Sequence, residues 1–117
     1  MTSITHSGNL FHPATPHFGP LEIIEELILT SELKVEKIIS NGQATPEGHW
    51  YDQQQDEWVI LLSGTATLKF ENDEMMNLNA GDYILIPAHC RHRVEKTSPE
   101  PNCIWLAIHG RLNPDGI

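Results

Sequence analysis

The chain of 117 residues is short of cysteine, of basic side chains and of long apolar runs, and each shortage closes off a class of protein. Two cysteines, Cys90 and Cys103, are too few for a disulfide framework and suit a reducing compartment. Seven lysines and arginines against 16 aspartates and glutamates leave a formal net charge of −9. That balance repels nucleic acid and anionic membrane surfaces, and no basic run is present to track phosphates. No apolar stretch approaches the roughly 20 residues of a membrane-spanning helix. The opening stretch, MTSITHSGNLFHP, lacks the cationic start and the apolar core of a secretion signal, so the expected location is the cytoplasm. A Gly-x-Ser-x-Gly elbow, a phosphate-binding loop and a dinucleotide fingerprint are all missing. Nucleophilic hydrolysis, phosphoryl transfer and hydride transfer therefore find no support.

What is there reads as one domain with a single core. Residues 1–20 form an expected N-terminal arm, with Pro13, Pro16 and Pro20 and little periodicity, while residues 21–117 form the body. Leu10, Phe11 and Phe18 are expected to dock parts of the arm, and its His6, His12 and His17 to be solvated. The stretches "LILT" and "LKVEKIIS" suggest a hairpin turning near Ser31-Glu32, with one helical turn allowed before it. Beyond it "EWVILL", "TATLKF", "MMNL", "YILI", "HRVEKT" and "CIWLAIH" have strand character. Turn residues such as Ser63-Gly64, Asn72-Asp73 and Gly81-Asp82 separate them. Short strands at such spacing point to an all-β antiparallel sandwich or barrel. In "TATLKF", Ala66, Leu68 and Phe70 share the face expected to be buried. "WVILL" is apolar on both faces, so its outer side needs cover from the N-terminal hairpin or from a second subunit.

Alternation also places the chemistry. Glu57 shares a face with Val59 and Leu61, and His92 shares one with Val94, so an acid and an imidazole aim at a common interior. A buried carboxylate needs a cation, a metal or hydrogen-bond donors. Imidazole with carboxylate suits zinc, iron, manganese, nickel or copper, and equally a hydrogen-bonded polar pair. "IPAHCRHRV", residues 86–94, adds His89 three places before His92.

Glu57-x6-Gly64 and Gly81-x5-Pro87-x4-His92 resemble the ends of the two motifs of the cupin superfamily, carried by "EWVILLSG" and "GDYILIPAHCRH". With "GHWYDQQQDEW" and "IWLAIHG", the chain is similar to short single-domain bacterial cupins over roughly residues 45–110. The resemblance implies a jelly-roll β-barrel closed around a cavity, with Glu57 and His92 as metal ligands. The first motif's His-x-His is absent. With a three-residue gap its places fall on Tyr51 and Gln53, with a four-residue gap on Trp50 and Asp52. Gln53 can ligate through its amide oxygen. His89, where the second motif usually has glycine, or His49 can restore a lost imidazole. The expected metal set is Gln53, Glu57, His89 and His92, with Asp52 the alternative to Gln53.

Two function classes follow. The first is a small metalloenzyme of oxygenase, isomerase or lyase type, using a divalent transition metal on a small polar organic molecule. There Tyr51 or His89 assists proton transfer. The second is a non-catalytic small-molecule binding or sensing barrel without metal. A homodimer is the expected assembly.

Overall fold

Alternating apolar residues, many of them β-branched, cut by glycine, asparagine and aspartate, form eight strands in the computed structural model, which describes residues 3–12 and 20–113. No helix occurs among the described residues, so the helical turn allowed before the hairpin is not formed. The strands are β1 (Ile23–Leu29), β2 (Lys34–Ser40), β3 (Asp56–Ser63), β4 (Thr65–Phe70), β5 (Met75–Asn79), β6 (Tyr83–Ile86), β7 (His92–Thr97) and β8 (Cys103–Gly110). All pair antiparallel, in a five-stranded sheet of order β1-β2-β8-β3-β6 and a three-stranded sheet of order β5-β4-β7.

The inward faces of the two sheets make the core. Val59 and Leu61 of β3 and Trp105 and Ala107 of β8 meet Ala66 and Leu68 of β4 and Leu78 of β5. Leu61 is fully buried, which contributes about 1.5–3 kcal/mol. Gly64 joins β3 to β4, and so one sheet to the other, at φ +85°. A Cβ there would sit 2.8 Å from Ser98 Oγ and 2.9 Å from both the Asn102 carbonyl and Cys103 Sγ. Glycine is required twice over at this corner, by conformation and by space.

The N-terminal hairpin forms where expected, but β1 and β2 extend the large sheet past β8 and do not cover the outer face of β3. On that face Trp58 packs instead on Tyr83 of β6, ring centroids 5.7 Å apart. Within the arm, residues 3–12 form no strand, His6 and His12 are exposed, and the His12 carbonyl accepts a 3.0 Å bond from Nζ of buried Lys37. Pro13, Pro16, His17 and Phe18 lie outside the described residues.

The connection between β2 and β3, residues 41–55, matters most for the site. It leaves the large sheet, runs beside β7 of the small sheet, and returns. Backbone bonds hold it there: Thr45 N–H donates to Val94 O (2.9 Å), Tyr51 N–H to His92 O (2.7 Å), and His92 N–H to Tyr51 O (3.1 Å). Nη2 of Arg93 adds a 2.7 Å bond to the Thr45 carbonyl.

Candidate functional site

Between the sheets lies a cavity of about 110 Å³ with an acid and imidazole cluster in its wall. Glu57 is the second residue of β3 and, by alternation, projects inward with Val59 and Leu61. The register of β3 on β8 pairs Glu57 with His109, and β2 lies on the far side of β8. His109 Nε2 is 2.9 Å from Glu36 Oε1 and 3.8 Å from Glu57 Oε2. From the small sheet, His92 opens β7 and brings its Nε2 to 3.6 Å from Glu57 Oε1. Glu57 thus stands between one imidazole from each sheet, and all four side chains are largely buried.

Partner chemistry sets the protons. A carbonyl only accepts, so His92 Nδ1–H donates to Cys90 O at 2.9 Å and turns Nε2 towards Glu57. Burial opposes the imidazolium, but the Glu57 carboxylate and the Cys90 carbonyl outweigh it, and the pKa of His92 lies above its ordinary value. The rings of Tyr51 and Phe70, with centroids 5.5 and 6.3 Å away, flank the imidazole. The Tyr51 phenol is pushed up by burial and by the negative fields of Glu22, Glu57 and Glu36, so it remains a proton donor. Carboxylate acceptors, a protonatable imidazole and a phenol on one small cavity are the equipment of acid–base chemistry.

Residues 36–109 match the model of the cupin domain family, more than half of the chain. The chain belongs to the cupin family. A Ralstonia eutropha protein of known structure, named a "putative mannose-6-phosphate isomerase", is 45% identical, with a TM-score of 0.85 over 92% of this cupin and 100% of that chain. A cupin superfamily protein from Desulfitobacterium hafniense is 16% identical, covering 84% of each chain, at TM-score 0.69. An RmlC-like cupin with a double-stranded β-helix fold from Methanocaldococcus jannaschii is 14% identical, covering 95% of this chain and 93% of that one, also at 0.69. The last two bear on fold alone. No curated protein matches.

In this cupin the expected residues divide. Tyr51, Gln53, Glu57 and His92 all line the cavity. Asp52 and His89 do not: both are exposed and bond to each other, Nδ1 to Oδ1, at 3.0 Å. The cause is backbone conformation. His89 sits at φ 62°, in the left-handed region that favours glycine, and its N–H bonds the Gln53 carbonyl at 2.8 Å. Its side chain is exposed and does not line the cavity. His49 is exposed as well. Three ionisable cavity residues lie outside the expected site set, His109, Glu36 and Glu22. Parity places the first two: His109 lies in phase with Trp105 and Ala107, and Glu36 with Ile38 and Ser40.

A divalent transition metal needs several donors about 2.0–2.3 Å from one point. Among the described residues no three histidine, cysteine, aspartate or glutamate side chains are arranged to hold one. With His89 outside, the four-residue set is not assembled. What lines the cavity is a smaller mixed set, the His92 imidazole, the Glu57 carboxylate and the Gln53 amide, of the borderline N/O kind that transition metals accept.

Proposed function

We propose that this cupin acts on a small polar organic molecule held in the cavity, by proton transfer of isomerase or lyase type. The observation that carries the reading is the Glu57 carboxylate between His92 Nε2 and His109 Nε2. Glu57 is the base that takes a proton from the bound molecule. His92, whose Nε2 faces Glu57, returns one, and the Tyr51 hydroxyl orients a substrate oxygen. Glu36 fixes the ring of His109 behind Glu57. Isomerisation of an aldose to a ketose is chemistry of this class, and the name of the Ralstonia relative agrees with it. The test is deuterium uptake from heavy water into small hydroxy-carbonyl compounds, followed by NMR. Exchange that falls at least about a hundredfold in Glu57→Gln supports the assignment; exchange equally fast in the variant overturns it.

A metal-dependent reading has its own support. The Cys90 carbonyl bond leaves Nε2 of His92 towards the cavity, as in a ligating imidazole whose other nitrogen is hydrogen-bonded. Gln53, Glu57 and His92 would hold the ion, and a bound ion would supply Lewis-acid chemistry. Elemental analysis of untagged protein purified without chelator checks it. Near-stoichiometric metal that disappears in His92→Ala supports this reading, and protein left empty after reconstitution with iron, manganese, nickel, copper and zinc rejects it.

A further inference from the structure

Glu57 and Glu22 line one cavity at well-separated levels. The level of Glu57 is marked on β2 by Glu36, which meets it through His109 at 2.9 and 3.8 Å. Ile23 pairs with Ile39, so Glu22 arrives beside Ser40, and the Ser40 hydroxyl donates to Glu22 Oε2. Glu36 and Ser40 are four residues apart on the inward face of β2, about 13 Å at the ordinary rise of a strand. Half-buried Ile38 lies between them and lines the cavity. Ile24 and Tyr51 line it too, at a rim where they are 59% and 40% exposed.

A buried series of bonds fixes Glu22. The indole N–H of Trp105 can only donate, and it donates to Ser40 Oγ at 3.1 Å. That leaves the one proton of the serine hydroxyl for Glu22. Ser40 is fully buried and Trp105 nearly so, which keeps water from competing with the relay. Backbone pairing from Ile23 to Leu29 already joins β1 to β2, so the hairpin does not call for such a clip. The serine engages Oε2 and leaves Oε1 of a half-buried carboxylate to accept from what occupies the cavity. Glu22 is outside the set that would hold an ion, so this role is the same with or without one.

We propose that Glu22 is a binding residue for the far end of the molecule, accepting a hydrogen bond from a hydroxyl there, with Ser40 and Trp105 as its positioning residues. This inference rests on Glu57 being the base and adds a length. Allowing one hydrogen bond at each carboxylate, a chain of about six carbons spans them, its far half in the open rim, and one of three carbons does not.

The test is deuterium uptake from heavy water beside the carbonyl of three ketones. They are hydroxyacetone, 1-hydroxy-2-hexanone and 1,6-dihydroxy-2-hexanone, of which only the last carries the far hydroxyl. Glu22→Ala is expected to raise KM for the dihydroxy compound at least about tenfold, with kcat and both other compounds within about twofold of the parent. Ser40→Ala, which frees the carboxylate, gives a smaller loss with the same selectivity, and hydroxyacetone exchange reports that each variant is folded. A loss shared by all three compounds marks a structural role and overturns the proposal. So does an unchanged KM for the dihydroxy compound in Glu22→Ala, or a parent that exchanges hydroxyacetone alone. Each of these outcomes leaves the assignment of Glu57 standing. No exchange of any compound by the parent counts against both.

Discussion

The two ends of β3 face the same interior and do opposite work. At one end Glu57 sits in a small open space with acid and imidazole neighbours; four residues on, Leu61 is fully enclosed, and the strand then turns at Gly64 against Ser98 and Cys103. The closed end is tightly packed, with Leu61 fully buried and three atoms within 3.0 Å of where a Gly64 Cβ would stand. The open end gathers ionisable groups that the hydrophobic effect alone would not hold together. One strand therefore serves as structural floor and as cavity wall, and on the proposed function stability and activity should be separable along its length.

Gly64→Ala strikes the closed end hardest. The positive φ and three contacts under 3.0 Å together should cost about 3 kcal/mol or more of unfolding free energy, read by urea denaturation. At the open end Glu57→Gln should cost less than that while removing the proposed exchange activity, because it nearly conserves volume and His92 can release its proton once the carboxylate beside it is gone. If the glutamine variant were as unstable as Gly64→Ala, the division between the ends would fail.

Between these extremes lies Asp56, whose carboxylate caps the site end from outside. Its Oδ1 accepts the Ala88 N–H at 2.8 Å, and its Oδ2 accepts those of Leu112 and Asn113 at 2.9 and 3.0 Å. These backbone donors hold its pKa below the ordinary aspartate value of 3.8. A depressed carboxylate stabilises the fold fully above its unfolded pKa, and that contribution disappears as pH falls through the folded value. Asp56→Asn should therefore be less stable than the parent at pH 7, with the gap closing in acid below about pH 4, as followed by thermal melts across pH. The smallest effect is expected at His89. Because its φ of 62° suits glycine and its ring bonds only exposed Asp52, His89→Gly should alter stability by less than about 1 kcal/mol and leave exchange activity intact.

How much of this was legible in the chain varies with distance along it. Alternation within β3 and β7 told which way Glu57 and His92 face, because side-chain parity is a local property. The hairpin of β1 and β2 was legible for the same reason. Its place in the sheet was not, since pairing with β8 joins segments far apart in sequence. The His109–Glu36 bond spans 73 residues, and no spacing rule links the two before the register of β2 on β8 is known. His89 misled in another way. Its residue type suggested chemistry, while its backbone occupies a conformation that residue identity does not announce.

The connection of residues 41–55 has a consequence for how such a cavity diversifies. It contributes Tyr51 and Gln53 to the lining, yet it is fastened to β7 chiefly by backbone amides and carbonyls, which every residue except proline supplies in full. Side chains along this strap can be exchanged with little penalty to the two sheets beneath it. A lineage could thus explore new ligands by rewriting one short segment while the barrel that carries Glu57 and His92 is inherited unchanged.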